Sequence, residues 1–365
     1  MSDPLPSSSQ RKGLFASPAR ATMVGIIFLA LIFLLWQWPT ALLLGYLAAW
    51  TFWLGRPIGT LAISLIHRLT GGDWGVGLLD HDSPRATSIL KMAALALPVL
   101  VGMHWLYPWL VHHAESTPDT RFREAYLTSG FFIARSVVYF VTWTLIAHFG
   151  RRTVGSAAVS LLLLIITGSL AEFDWLATLS AEFYSTLFGL YVLVAFGLTA
   201  LCILILSVLA REPQPPIKRM TDWGNLLLAF VMVHGYLAFS HFLIIWSGNL
   251  PREIGWYAER MRGPWGATGL LLIVVQLFLP LGLLLNRKVK RHRNSLAATA
   301  SIVLAANWIE AAWLVIPSLS EHDVHAWQTG LSLLVMIAVT AAIGLLTLPR
   351  TIWLSPRVES PEAAS

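Results

Sequence analysis

Apolar positions along this chain gather into runs of about twenty uncharged residues, separated by short polar segments. A helix rising about 1.5 Å per residue crosses roughly 30 Å of hydrocarbon in one such run. The runs predict ten helices, at 22–38, 40–66, 88–110, 124–149, 154–173, 181–209, 223–247, 265–286, 295–316 and 326–348. The expected fold class is therefore all-α: a polytopic membrane protein with about ten transmembrane helices. Pro39 supplies the break between the first two runs, because proline lacks an amide hydrogen and disfavours helix in the residue before it. If Pro39 only kinks the helix, the number falls to nine. Pro98 and Pro280 permit kinks in the third and eighth runs.

The polar remainder sets the expected organisation. Residues 1–21 form a Ser- and Pro-rich tail with no convincing cleavage site after the first apolar run, 22–348 form the membrane domain, and 349–365 form a second tail. Loops are short, so chemistry has to occur within the membrane or in partner proteins. On the ten-helix reading, 18 of the 25 Lys and Arg fall on the side of the two tails, five fall opposite, and Arg56 and Arg135 lie inside helices. Positive charge is retained in the cytoplasm, so both termini are expected there.

Composition agrees with this reading: 56% of the 365 residues are hydrophobic and only 12% are charged, about half the usual charge of a globular protein. The net charge of +6 does not imply a nucleic-acid partner, since the basic residues sit at the ends of apolar runs. The strip Arg287, Lys288, Lys290, Arg291 and Arg293 suits anionic lipid headgroups. Cys202 is the single cysteine, which excludes a disulfide framework, a c-type haem attachment pair and an iron–sulfur ligand set. Trp36, Trp38, Trp105, Trp109, Trp246, Trp265 and Trp353 fall near helix ends, where an interfacial belt is expected.

Ionisable groups inside apolar runs cost roughly 2.5–3.5 kcal/mol on insertion scales, so each needs a partner or a use. Arg135 lies deep in the fourth helix and has to meet a carboxylate, carbonyls or a ligand oxygen, either as an interhelical clamp or as part of a proton or ligand path. Glu310, with Asn307 one turn earlier on the same face, is the matching anion, in a static pair or in a group that loads and releases protons. His234 and His241, two turns apart on one helix, share a face, and His104 and His148 add further imidazoles. Haem is disfavoured, because a two-haem bundle needs a facing histidine pair and no counterpart helix supplies one. A bridging hydrogen bond is the simplest role for any of these rings. Glu172, Asp174 and Glu182 flank the connection between the fifth and sixth helices. They form either a proton exit, a docking face or solvated loop ends.

Four segments carry a family resemblance. YLAFSHFLIIWSGNLP (Tyr236 to Pro251), WYAERMRGPW (Trp256 to Trp265) and DWLATLSAEFYSTLFGLY (Asp174 to Tyr191), with the weaker HRLTGGDWG (His67 to Gly75), resemble the second large membrane subunit of alternative complex III, within the NrfD-like group. The resemblance runs from the second helix to the ninth. It implies a ten-helix subunit arranged as two four-helix bundles plus extra helices, in the bacterial inner membrane, with quinone or quinol at or near it and no covalently bound cofactor. The implied partners are multihaem cytochrome and iron–sulfur subunits, a homologous ten-helix membrane subunit, and lipids. The chain departs from the family pattern at His241, where a glutamine is expected, at Ser247, which replaces an aromatic residue, and at Arg252, which stands where an acidic residue is common.

The functional expectation is thus a subunit supporting quinol oxidation, which must release two protons with two electrons. His104, Arg135, Glu172, Asp174, Glu182, His234, His241, Asn307 and Glu310 are the proton-path or quinone-proximal candidates. A secondary transporter with midplane charges and broken helices is the rival from another class. A scaffold without a proton role is the third.

Overall fold

A computed structural model describes residues 37–75, 77–79, 85–110, 125–180, 183–322 and 326–347. Residues 22–36 of the first expected helix, both tails and Glu182 lie outside the described residues. The rest is helical, without a strand among the described residues. Among the described residues, seven helices are long and apolar enough to cross a membrane, and they leave the expected count of ten unestablished.

Pro39 begins a helix rather than kinking one. Trp38 takes non-helical angles (φ −139°, ψ 60°), and α1 follows as Pro39–Thr70, with the proline where a missing N–H costs nothing. This helix is the axis of the molecule. It packs on α7 (Phe188–Arg211), α12 (Arg293–Val315), α13 (Ala326–Thr347) and α6 (Val154–Trp175). Close approach depends on glycine at two crossings. A Cβ at Gly59 would lie 2.1 Å from the Phe196 carbonyl oxygen of α7, and one at Gly45 would lie 2.2 Å from the Ser332 oxygen of α13.

The third expected helix is broken into α2 (Ala86–Leu95), α3 (Leu97–Val101) and α4 (Met103–Leu106). Pro98 sits at the start of α3, where its ring is tolerated, and the preceding helix ends three residues before it. α5 (Ser129–Phe149) precedes α6, which opens with a capping box: Thr153 Oγ1 accepts from Ser156 N at 3.0 Å, and Thr153 N donates to Ser156 Oγ at 2.9 Å. α8 (Ile217–Gly248) closes on Asn249 in the left-handed conformation, φ 49°. The short helix α9 (Pro251–Arg260) then lies where the sequence reading placed a loop.

α10 (Gly263–Leu285) contains a π-helical stretch at Ile273–Phe278, immediately before Pro280. Proline cannot return an N–H to the carbonyl four residues earlier, and the helix widens just before it. The basic α11 (Arg287–Arg291) leads into α12.

Helices α1 and α7 are buried nearly all round, while α5, α6, α8, α10 and α13 turn large apolar side chains outward, among them Val138, Leu162, Phe239, Leu270 and Leu334. Outward-facing apolar surface on long helices is the pattern of a membrane protein. The tryptophans divide between two settings. Trp105 and Trp246 are exposed near helix ends as a belt requires, but Trp50, Trp143, Trp175 and Trp223 are buried in the core. Trp36 and Trp353 lie outside the described residues.

At the end of the bundle holding α11, polar contacts join the loops. Lys218 bridges Asp73 at 2.7 Å, Lys290 donates to Asn225 at 2.7 Å, and Trp223 donates to the Trp74 carbonyl at 3.0 Å. The hydrogen bond and charge of Lys218 hold the Asp73 carboxyl below its ordinary value.

Candidate functional site

The opposite end of the bundle gathers the C-terminal ends of α6, α8 and α12, the start of α7, and α9. Two separate buried polar clusters form between there and the middle of the bundle.

The first is built on Arg135 of α5. Its Nε donates to Asp174 Oδ2 at 2.8 Å and its Nη2 to Asp174 Oδ1 at 2.9 Å, while Nη1 donates to the Tyr126 carbonyl at 2.7 Å. Tyr139, one turn from Arg135, donates to Asp174 Oδ2 at 2.7 Å. Trp175 Nε1 donates to Ser136 Oγ at 3.0 Å, so the neighbouring positions of the same two helices are joined as well. The Arg135 guanidinium also lies 3.7 Å from the centre of the Tyr126 ring. This corrects the expected pairing: Arg135 meets Asp174, not Glu310. Asp174 is not a solvated loop end either, being fully buried in the last turn of α6.

Glu310 of α12 is the centre of the second cluster. It accepts a hydrogen bond from the Tyr191 hydroxyl on Oε1 and one from Gln276 Nε2 at 2.7 Å on Oε2. His234 Nε2 stands 3.2 Å from Oε2, close enough for an ion pair but off the line of a hydrogen bond. Gln276 also donates to Asn307 Oδ1 at 2.6 Å, and Asn307 Nδ2 donates to Ala195 O and Thr199 Oγ1, each at 3.1 Å. The π-helical stretch of α10 carries Gln276, whose side chain is buried in this network.

Aromatic rings extend the second cluster. Tyr191 lies between His234 and His241, with ring centres 5.1 and 6.0 Å away. His241 is enclosed by Phe183, Phe188, Trp256 and Tyr257, and shares a 2.7 Å hydrogen bond between its Nδ1 and the Tyr257 hydroxyl. Burial raises the Tyr257 phenol above its ordinary value, so it keeps its proton and can donate to that nitrogen. Arg260 closes this end of α9. It donates to Trp256 O at 3.0 Å, Leu314 O at 2.6 Å and Ser318 Oγ at 3.1 Å, with its guanidinium 3.7 Å from the centre of the Trp256 ring.

A cavity of about 660 Å³ lies between the clusters. Its walls include Tyr126 from the first and Phe183 from the second, with Phe173, Tyr184, Thr178 and Glu253. Ser180 also lines it; the residue is 5% exposed, and its hydroxyl has no hydrogen-bond partner among the described residues. Mostly apolar walls with a few convergent polar groups suit a small ring-bearing ligand.

The remaining candidates are dispersed. Glu172 is buried in α6, 1% exposed, with neither carboxyl oxygen hydrogen-bonded among the described residues. His104 is exposed on α4 beside Trp105 and joins neither cluster. His148 is exposed on α5 and sits 3.1 Å from the Thr144 carbonyl. Sequence reasoning did not single out Tyr139, Tyr191, Gln276, Tyr257 or Arg260. Gln276 had a visible signal, as an amide in the middle of an apolar run, and Tyr191, Tyr257 and Arg260 fall inside the segments that carry the family resemblance. In a comparison with known proteins the chain matched no family model and no curated protein.

Proposed function

We propose that this chain is an integral membrane subunit of a respiratory quinol:cytochrome c oxidoreductase of the alternative complex III kind. On this reading it is a ten-helix protein of the bacterial inner membrane, built of two four-helix bundles plus extra helices, with both termini in the cytoplasm. Multihaem cytochrome, iron–sulfur subunits and a homologous membrane subunit are its partners. The observation that carries the reading is the Glu310 cluster. A carboxyl, two imidazoles, a phenol and two amides from four helices converge inside an apolar bundle, next to a cavity able to admit a ring. Buried titratable groups in such an array have a use where protons must leave as electrons do.

The cavity fits a quinol on the chemistry of its walls: aromatic faces for the ring, and the Ser180 hydroxyl, without a hydrogen-bond partner among the described residues, with Glu253 for its oxygens. A bound quinol supplies two electrons and two protons. Phe183 separates the cavity from His241, placing the ring stack His241–Tyr191–His234 between the cavity and Glu310.

Purification of the chain from its native membrane tests the assembly, with co-elution of multihaem and iron–sulfur subunits expected. In that complex, Glu310→Gln should lower quinol oxidation and proton release by roughly a hundredfold, the lower end for a positioned proton-transfer group. Unchanged turnover with unchanged subunit composition overturns the role of Glu310. The transporter reading draws on the broken segment α2–α4, but the ionisable side chains there, Lys91 and His104, are exposed rather than gathered at a site. Solute uptake by the isolated chain would favour it.

A further inference from the structure

A second, much smaller cavity of about 20 Å³ lies against the Glu310 cluster, walled by Thr51, Thr199, Asn307, Glu310 and Leu176 among others. A water molecule needs about 10–15 Å³ of such volume and two to four polar partners. Both conditions are met. Thr199, Asn307 and Glu310 provide polar atoms on one side, and Thr51 provides a hydroxyl on the other.

The Thr51 hydroxyl is the telling group. Threonine inside a helix usually returns its hydroxyl to the carbonyl one turn back, as Thr144 does to Phe140 at 2.7 Å, Thr299 to Ser295 at 2.8 Å and Thr347 to Ile343 at 2.8 Å. Thr51 does not. Its side chain is buried, the residue is 3% exposed, and Oγ1 has no hydrogen-bond partner among the described residues. Leaving a buried hydroxyl unsatisfied costs about 1–3 kcal/mol, so a local bond to its own helix would be preferred unless something in the cavity accepts or donates.

We propose that this cavity is a water-binding site, in which one ordered water joins Thr51 of the axial helix α1 to the Asn307–Glu310 wall of α12. The carboxylate oxygens of Glu310 each have a second lone-pair site beyond the Tyr191 and Gln276 bonds, so the carboxyl has capacity for this contact. Leu176, just past the Asp174-bearing turn of α6, forms part of the same wall. The proposal goes beyond the quinol reading and stands on geometry alone, whatever complex the chain belongs to.

Thr51→Val and Thr51→Ser in the full chain, purified in detergent, test it. Valine keeps the shape and removes the hydroxyl; serine keeps the hydroxyl. In water-resolving density maps a solvent peak is expected in the wild type and in T51S and is expected to vanish in T51V, whose thermal midpoint should fall below that of T51S. A wild-type map with an empty cavity, or a T51V protein as stable as the wild type or more so, overturns the site. If T51V does not fold, the wild-type and T51S maps decide: a peak in both supports the site, and an empty cavity in either overturns it. Because the readouts are density and stability, failure here leaves the electron-transfer reading untouched.

Discussion

Arg135 and Asp174 meet in a two-point ion pair, Nε to Oδ2 at 2.8 Å and Nη2 to Oδ1 at 2.9 Å, with the Tyr139 hydroxyl bound to the same carboxylate. The planar guanidinium matches the carboxylate fork, and both residues are removed from solvent. A buried pair of this kind is costly to half-remove, because the survivor keeps its charge and loses its counter-charge. Asp174→Ala should therefore destabilise the protein by about 3 kcal/mol or more. The double variant Arg135→Leu with Asp174→Leu should recover a substantial part of the loss. Thermal unfolding in detergent checks both, and a double variant worse than the sum of the singles contradicts the pairing.

Gln276 donates to two acceptors, Asn307 Oδ1 and Glu310 Oε2, whereas Tyr191 donates to one. Gln276→Leu should cost about 1–2 kcal/mol and Tyr191→Phe about 1 kcal/mol, the modest range for hydrogen bonds between membrane helices. The two effects should fail to add, since both substitutions strip the same carboxylate. A double-mutant cycle in the full chain reads the coupling, and strict additivity would separate the two side chains functionally.

Gly59 of α1 has no room for a side chain against the Phe196 carbonyl. Gly59→Leu should force α1 and α7 apart and destabilise the fold by about 3 kcal/mol or more, beyond ordinary overpacking because backbone is the obstacle. Gly248→Ala, where an added Cβ meets nothing within 4 Å, is the control, and yield of monodisperse protein after detergent extraction measures both.

Asp73 is an exposed carboxyl held below its ordinary value by Lys218. A lowered folded-state value means the stabilisation is complete above the unfolded-state value and fades as pH falls through the folded one, below about pH 4. Solvent and salt screen this pair, so Asp73→Asn should leave the melting temperature at neutral pH and physiological salt unchanged. A clear drop at neutral pH would show that the Asp73–Lys218 contact is stronger than exposure allows.

Much of the candidate site was legible as a list of residues but not as a set of partners. Arg135, Asp174, His234, His241, Asn307 and Glu310 stand out because charge and amide groups within apolar runs are expensive, and all six are buried. Arg135 was matched with the wrong carboxylate for a simple reason. Spacing along a helix gives depth and face, but which neighbour fills that face depends on how helices are arranged around α1. Tyr139 and Tyr191 were passed over because tyrosine in a membrane helix is read as an interfacial residue, and Tyr257 because it falls in an expected loop; only the fold turns these hydroxyls inward.

The chain's own pattern determined that it is helical and membrane-like, that Pro39 marks a break or a kink, and that a few polar groups must be hidden among apolar neighbours. Those outcomes follow from local sterics and from the cost of moving charge and peptide groups out of water. Tertiary structure alone decided that Arg135 belongs to Asp174, that α10 widens into a π-helical stretch where Gln276 is buried against Glu310, and that Trp50 and Trp175 lie in the core. Each of those depends on contacts between helices far apart in the chain, and hydrophobic runs of nearly equal length carry little information about which of them become neighbours.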